Sequence, residues 1–210
     1  MSQGQPLRWA EAHAVATELV GLLADACERI EIAGSLRRRR DEVHDLEIVA
    51  IPRVEERPGE DLWGEAMPTA VDLLRVAIGN GIGMGTLAAR AVEIHRRDGS
   101  TEMGQRMGDA YKALVYGGMA VDLFITDAER WGCIYALRTG PRDRNTALVT
   151  RCKEHWRRVE GGRVLYHNRV VPTPEEADFF RALGVPWVEP WDRSVDRLRF
   201  DPEILRAVSA

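Results

Sequence analysis

Apolar residues recur at helical spacing from Trp9 to Arg29: Ala10, Ala14, Ala16, Leu19, Val20, Leu22, Leu23 and Cys27 fall together, while Glu11, Glu18, Asp25 and Glu28 lie mostly on other faces. This predicts one amphipathic helix running into a short strand, Ile30 to Ala33, which a Gly-Ser turn ends. Leu46 to Ile51 is β-rich and bounded by Pro52, so it reads as a second strand. Val54 to Gly64 contains Pro58 and Gly59 and reads as a loop, and Ala66 to Ile78 as a helix. Gly79 to Gly85 is glycine-dense but lacks the Lys-Ser/Thr pair of a P-loop. A flexible connector is the expectation there, with a helix over Leu87 to Ile94. Ala110 to Tyr116 and Ala120 to Ile125 flank Gly117-Gly118 and predict a hairpin. Beyond Trp131 the pattern predicts a helix over Ala147 to Arg158, short strands at Val164 to Tyr166 and Val170 to Val171, and a helix over Pro174 to Leu183 opened by Thr173.

Composition narrows the function classes. The chain has 210 residues, 45% of them hydrophobic, enough to bury a core. Its apolar runs, Leu46 to Ile51 and Met119 to Ile125, are far shorter than the roughly 20 residues a bilayer span needs, so no membrane span is expected. The polar N-terminus lacks the order of a secretory signal, and Cys27, Cys133 and Cys152 show no zinc or disulfide spacing; a cytoplasmic, reduced setting is expected. A net charge of −4 argues against tight non-specific DNA binding. Basic residues nevertheless concentrate at Arg37 to Arg40 and between Arg138 and Arg158. The five histidines are dispersed, and the tryptophans, among them Trp131, Trp156, Trp187 and Trp191, read first as packing rather than as base-stacking surfaces.

The candidate chemistry lies in the two strands. Asp45 and Glu47 are two residues apart and so share one face of a strand, and Asp122 sits similarly on a later one. Three hard oxygen ligands converging on a sheet face suit Mg²⁺ or Mn²⁺. The same alternation also fits a half-exposed sheet with a solvated acidic face. Gly34-Ser35 followed by Arg37-Arg38 changes the balance, because a strand ending in Gly-Ser can aim backbone N–H groups and a hydroxyl at a phosphate, beside an arginine fork. A phosphate clamp next to metal-binding acids is what two-metal phosphoryl transfer requires.

Ile32-Ala33-Gly34-Ser35-Leu36-Arg37-Arg38 followed by Asp45-Leu46-Glu47 resembles the Gly-Ser-x-Arg-Arg and Asp-x-Asp signature of family X DNA polymerases, the polymerase beta group. Val121-Asp122-Leu123 is similar to that family's third-acid strand, and Thr139-Gly140 with Asn145 to its palm-to-thumb segment. The stretch from Thr173-Pro174-Glu175-Glu176 through Phe180 to Trp187, Glu189-Pro190 and Arg193 is similar to its C-terminal ending. The resemblance implies an α+β fold: a nucleotidyltransferase palm, a mixed β-sheet with helices on one face, over residues 1–138, then a small α/β thumb over 139–210. It implies that Asp45, Glu47 and Asp122 bind two Mg²⁺ or Mn²⁺ ions, with Asp122 nearest the primer hydroxyl as its base. Gly34, Ser35, Arg38 and Thr139 would belong to the nucleotide site, Ser35 and Arg38 holding the triphosphate. Gly140 would admit the sugar, and Asn145 would bond the base edge. Ser35 and Gly140 also read as turn residues and Asn145 as a helix cap.

Departures from the pattern set the remaining expectations. Glu47 replaces the second Asp, Leu137-Arg138 stands where the family has an aromatic pair, Pro141 where it has Ser, and Val149 where a template-reading Arg is common. Sugar discrimination and template dependence are therefore open. With little sequence before Trp9, the lyase and DNA-gripping fingers modules are expected to be missing, leaving a monomer that holds a DNA primer or primer-template weakly and takes (d)NTP. The alternatives are a nucleotidyltransferase acting on RNA, a small molecule or a protein, and a non-catalytic binding module.

Overall fold

A computed structural model describes residues 5–59, 67–96 and 98–207. In chain order its first part holds β1 (Leu7–Arg8), α1 (Trp9–Leu23), β2 (Cys27–Ile32), α2 (Gly34–Arg37), β3 (Glu42–Val43), β4 (Asp45–Pro52), β5 (Val54–Arg57), β6 (Thr69–Asp72), α3 (Leu73–Gly83), β7 (Ala88–Ala89), β8 (Ala91–His95), β9 (Thr101–Gln105), β10 (Tyr111–Tyr116) and β11 (Met119–Ile125). The second part holds α4 (Trp131–Thr139), α5 (Arg142–Arg151), β12 (Arg157–Glu160), β13 (Arg163–Tyr166), β14 (Arg169–Val171), α6 (Glu176–Leu183) and α7 (Pro202–Ala207).

The central sheet has the order β2-β4-β11-β10-β7. It is mixed: β4 and β11 run parallel, and the other neighbours are antiparallel. The β10–β11 hairpin turns on Gly117 and Gly118, at φ 55° and 78°, the left-handed pair that a two-residue turn between right-twisted strands requires. On β4, Leu46, Ile48 and Ala50 point into a core with Ala12, Ala16, Leu19 and Leu23 of α1 and Leu74 and Ile78 of α3. The alternate residues Val49 and Ile51 pack with Phe124 and with Trp131 and Tyr135 of α4 on the other face. This is the expected α+β fold, a mixed sheet backed by helices and followed by a small α/β unit. In that unit the sheet β12-β13-β14 packs with α5 and α6 around Leu148, Val164, Phe179, Phe180 and Leu183. The division expected at residue 138 falls in the last turn of α4, which also gives Cys133 and Ala136 to this second core.

Several local expectations are corrected where long-range pairing overrides local pattern. The helix expected over Trp9 to Arg29 ends at Leu23, and the chain is already a strand at Cys27, because Cys27 and Arg29 to Ile32 pair with β4. Val54–Arg57, expected in a loop, is a strand paired with Thr69–Asp72. The rest of that loop from residue 60, and Ala66 at the start of the expected helix, lie outside the described residues. The helix itself starts at Leu73, where the Asp72 carboxylate accepts the Arg75 N–H at 2.9 Å as an N-cap. It runs through Gly79, Gly81 and Gly83, so the glycine-dense stretch is its end and not a flexible connector. Residues 87–94, expected to be helical, supply β7 and part of a β8–β9 hairpin, held by partners distant in sequence. The helix expected at Ala147 starts at Arg142 and ends at Arg151, and by Arg157 the chain pairs with β13.

The two parts are tied through one carboxylate. Glu176, in the first turn of α6, accepts two bonds from the Arg37 guanidinium at 2.7 and 2.9 Å, pairs with Arg193 at 2.9 Å and accepts from the Trp187 indole at 3.0 Å. Its side chain is 8% exposed and that of Arg193 is 0%. Burial works against the charge, but the bonds from Arg37 and Arg193 outweigh it and hold the Glu176 carboxyl down to about 2. A second tie links Arg29 to Glu175 at 2.8 and 3.0 Å, with the Arg29 guanidinium 4.3 Å over Trp131.

Because the folded value of Glu176 is depressed from an ordinary 4.5, its contribution is present above that value and is lost as pH falls towards 2. It amounts to on the order of 3 kcal/mol. Glu176→Gln, which strands two buried guanidinium groups, is expected to cost about 3–5 kcal/mol at pH 7. Denaturant titrations of both proteins between pH 6 and pH 2 should show the gap narrowing with acidity; a constant gap would contradict the assignment.

Candidate active site

The strand pairing brings the three predicted acids to one end of one sheet face. Glu47 stands opposite Asp122 across the parallel β4–β11 ladder, and Asp45 opposite Ala120. All three lie on the face that carries Val49, Ile51 and Phe124. Helix α4 covers its far end through Trp131 and Tyr135 and leaves the acids half-buried.

Clustered charge shows in the proton affinities of the two acids on β4. Burial, then the neighbouring Asp45 charge, pushes the Glu47 carboxyl up to about 7, with Asp122 adding and Arg38 opposing. Asp45 is also raised, by burial and then by Asp122. The two carboxyls of β4 are thus crowded by like charge. Asp122 is held differently: its Oδ1 accepts from the Tyr111 hydroxyl at 2.6 Å and pairs with the Arg90 guanidinium. Burial, and then its bond to Asp122, pushes the Tyr111 phenol up to about 12, so Tyr111 remains a donor. In this arrangement no three His, Cys, Asp or Glu side chains among the described residues are grouped closely enough to grip one ion.

The Gly-Ser segment packs onto the acids. Ala33 N–H donates to the Glu47 carbonyl at 2.8 Å, turning β2 into α2 directly above β4. Gly34 sits at φ 64°, and a Cβ there would overlap the Glu47 carboxylate, so both backbone angle and space require glycine. Ser35 follows, half-buried, in the same short helix. The two arginines part company. Arg37 turns away to Glu176 and Thr139, stacked 3.9 Å from the Tyr135 ring centroid, and is part of the tie rather than of a phosphate fork. Arg38 donates from Nη1 to the Thr139 carbonyl at 2.5 Å, while its buried Nε has no partner.

The predicted palm-to-thumb residues form one knot. Thr139 is fully buried and its hydroxyl accepts from Arg37 at 2.8 Å. The Asn145 amide donates to the Leu137 carbonyl at 2.6 Å and to that of Gly140 at 3.4 Å, closing the end of α4. A Cβ on Gly140 would strike the Asn145 side chain. Arg38, Glu47, Gly140 and Asn145 line one cleft of about 660 Å³, together with Val149 and the β12–β13 turn at Gly161-Gly162. Asp122 lines an adjoining recess of about 610 Å³ with Tyr111, Phe124 and Arg130, and Arg138 and Gly161 border both. Thr139, Gly34, Ser35 and Asp45 do not line the cleft: Thr139 is tied to it by the bond its carbonyl accepts from Arg38, Gly34 packs on Glu47, Ser35 follows in α2, and Asp45 shares β4 with Glu47.

Tyr111, Arg90 and Glu176 carry roles that sequence reasoning did not assign. Tyr111 was within reach of it: Ala113 opposes Asp122 in the glycine-turned hairpin, so Tyr111, two residues on, is its diagonal neighbour on the same face. Arg90 had no local signal. It follows β7, a two-residue strand, and is placed by its N–H bond to the Ala113 carbonyl at 2.8 Å.

Residues 136–194 match the family model of the DNA polymerase beta thumb. The matched segment contains Thr139, Gly140, Asn145, the hairpin β12–β13 and Glu176, and it supports a relationship to family X polymerases and a DNA-binding character. No curated protein matches the chain. No helix among the described residues is long and apolar enough to cross a membrane.

The raised Glu47 value carries a stability cost. Its folded form binds a proton more tightly than the ordinary 4.5, so its contribution is complete below that pH and is lost as pH rises through 7. In the presence of chelator, Glu47→Gln is expected to melt several degrees above the parent at pH 8, with the difference gone near pH 4. A lower melting point for the variant at pH 8 would refute the crowding of charge inferred here.

Proposed function

We propose that this protein is a polymerase beta-like nucleotidyltransferase that moves a nucleoside monophosphate from (d)NTP to a DNA 3′-hydroxyl and releases pyrophosphate. The observation that carries the reading is the cleft itself. It joins Glu47 of the acidic sheet face to Arg38, Gly140 and Asn145, and Arg38 is anchored on the carbonyl of Thr139 within the thumb-matched segment. Asp45 and Glu47, whose proton affinities are raised by burial and by neighbouring carboxylates, together with Asp122 across the ladder have the donor chemistry of a site for a hard divalent ion. Asp45, Glu47 and Asp122 would hold two Mg²⁺ or Mn²⁺ ions. Bound there, such ions lower the pKa of an attacking hydroxyl and neutralise the charge of the phosphates.

The protein's own groups have separable tasks. Asp122 is the nearest base for the primer hydroxyl, and it is poised by Tyr111 and Arg90, which must release or share Oδ1 as the acids converge. Arg38 offers its charge and its unpartnered Nε to the triphosphate. Gly34, packed on the Glu47 carboxylate, and Ser35 would turn their backbone N–H groups to the phosphates, and Gly140 would leave room for the sugar at the cleft wall. Asn145, with its amide committed to α4, presents its oxygen to that wall. The Glu176 cluster fixes the distance between the acid-bearing and thumb-like parts, so the cleft is held open without substrate. A division into a catalytic palm and a thumb near residue 138 follows from the same arrangement.

Val149 lines the cleft where a polar template contact would otherwise stand, and this favours a second reading in which the acceptor is RNA, a small molecule or a protein. Primer extension with Mg²⁺ or Mn²⁺ separates the two, using each dNTP or NTP alone, with and without template. Added nucleotides should appear on the DNA primer and fall by a factor of about a thousand or more in Asp122→Ala. Absence of extension under every condition, with pyrophosphate released on another acceptor, would replace the polymerase reading with the second.

A further inference from the structure

Trp156 is a residue that folding does not explain. It is 73% exposed, so its indole contributes little to either core. It also ends the short turn after α5 in the left-handed region, at φ 59°, where glycine is the ordinary residue and any side chain is strained. Trp131, by contrast, is fully buried as packing requires.

Its surroundings are equally specific. Trp156 stacks on His167, with ring centroids 5.6 Å apart and planes 15° from parallel, and the edge of Tyr166 braces His167 at 4.4 Å. His167 N–H donates to the Trp156 carbonyl at 3.3 Å, extending the β12–β13 pairing by one step. His167 and Asn168 both adopt the left-handed region, at φ 47° and 67°, to make the two-residue turn into β14. The aromatic pair forms the floor of an open hollow of about 560 Å³ lined by Lys153, Trp156, Arg157, Arg158, His167 and Asn168. No carboxylate lines it, although the chain as a whole carries a net charge of −4. Arg157 is fixed as scaffold by the carbonyls of Ala182, His155 and Leu205 at 2.8, 2.9 and 3.1 Å. Lys153 and Arg158 remain at the surface, the latter 3.6 Å from Glu160.

We propose that the Trp156–His167 pair is a stacking platform for an unpaired nucleobase of single-stranded DNA, with Lys153 and Arg158 receiving the flanking phosphates. A flat exposed ring edged by cations and an amide is the combination that binds single strands without reading sequence. The position fits a strand leaving the acidic cleft. The Gly161-Gly162 turn borders that cleft, and Trp156 lies at the opposite end of the same hairpin. Five residues of β-strand span roughly 16 Å. At the roughly 3.4 Å per nucleotide of a stacked strand, and more for an unstacked one, that is at most about five nucleotides from the site of transfer. The identity of the partner as DNA rests on the proposed nucleotidyl transfer. The platform itself is tested without nucleotide or metal, so its failure and the failure of the transfer reading are distinguishable.

The experiment is fluorescence anisotropy of the full chain with labelled oligo(dT) of about ten nucleotides at low salt, beside a duplex of the same length. Trp156→Gly is expected to weaken single-strand binding roughly tenfold or more and duplex binding much less, and Trp156→Phe to retain most of the affinity. Because glycine relieves the left-handed strain, the melting temperature of Trp156→Gly should equal or exceed that of the parent. Unchanged oligo(dT) affinity in Trp156→Gly, or an equal loss towards duplex, would overturn the proposal. A fall in melting temperature accompanied by unchanged binding would assign Trp156 to folding instead.

Discussion

A single buried carboxylate sets the relation between the two halves of this protein. Glu176 gathers Arg37 from the end of α2 above the acidic sheet face, Arg193 from the C-terminal segment and the indole of Trp187, with the Glu176 and Arg193 side chains themselves buried. Glu176 and Arg193 are costly to bury unpaired, so the halves dock where these two meet each other and Arg37. The consequence reaches the cleft. With Arg37 and Thr139 joined, the neighbouring Arg38 is presented to Glu47 on one side and to the Thr139 carbonyl on the other. The electrostatics also divide the two adjacent arginines: the one facing a desolvated carboxylate is structural, and the one with a buried, unpartnered nitrogen faces the cleft.

At the Glu176 cluster two guanidinium groups meet one carboxylate, whereas the acidic face is left short of positive charge. There burial and mutual repulsion raise both carboxyls of β4, opposed by Arg38, Arg138, His44 and Arg90, the last already committed to Asp122. A fold that stabilises one ionic centre and crowds another, with Arg37 and Arg38 standing between them, reflects the usual opposition between stability and activity. The strain is local, because β4 beneath the acids is among the most completely buried segments of the chain, with Leu46, Ile48, Val49 and Ala50 at or near zero exposure. Rigid strands therefore carry the repulsive groups, and the repulsion cannot be relieved by backbone movement without opening the core.

What could be read in the sequence was governed by how local the determining physics is. Strand β4, the glycine-turned hairpin and the shared face of Asp45 and Glu47 follow from period-two alternation and turn chemistry within a few residues, and the structure contains them as expected. The end of α1 and the strand at Cys27 do not follow, because a helical pattern and a paired strand both accommodate that stretch and only the partner β4 decides. The run of glycines after Ile78 suggested a connector, but burial of Leu74 and Ile78 offsets the helix cost of glycine. At the site, a Gly-Ser-x-Arg-Arg pattern pointed to the right segment but not to the opposite fates of its two arginines, which depend on Glu176 some 140 residues away. Tyr111 was recoverable from hairpin register, whereas Arg90, held by a two-residue edge strand, was not. Trp156 read as packing because most tryptophans are; its exposure and left-handed backbone are visible only once the hairpin is built.

The most direct test of the acidic face as a centre for nucleotidyl transfer is calorimetric titration of Mn²⁺ into the protein at pH 8 with a non-reactive nucleoside triphosphate analogue present. The parent should bind Mn²⁺ with a heat that disappears in a double variant carrying Asp45→Asn and Glu47→Gln. Absence of binding by the parent, or binding unchanged in the double variant, would contradict the assignment of these carboxylates to the metal-dependent site.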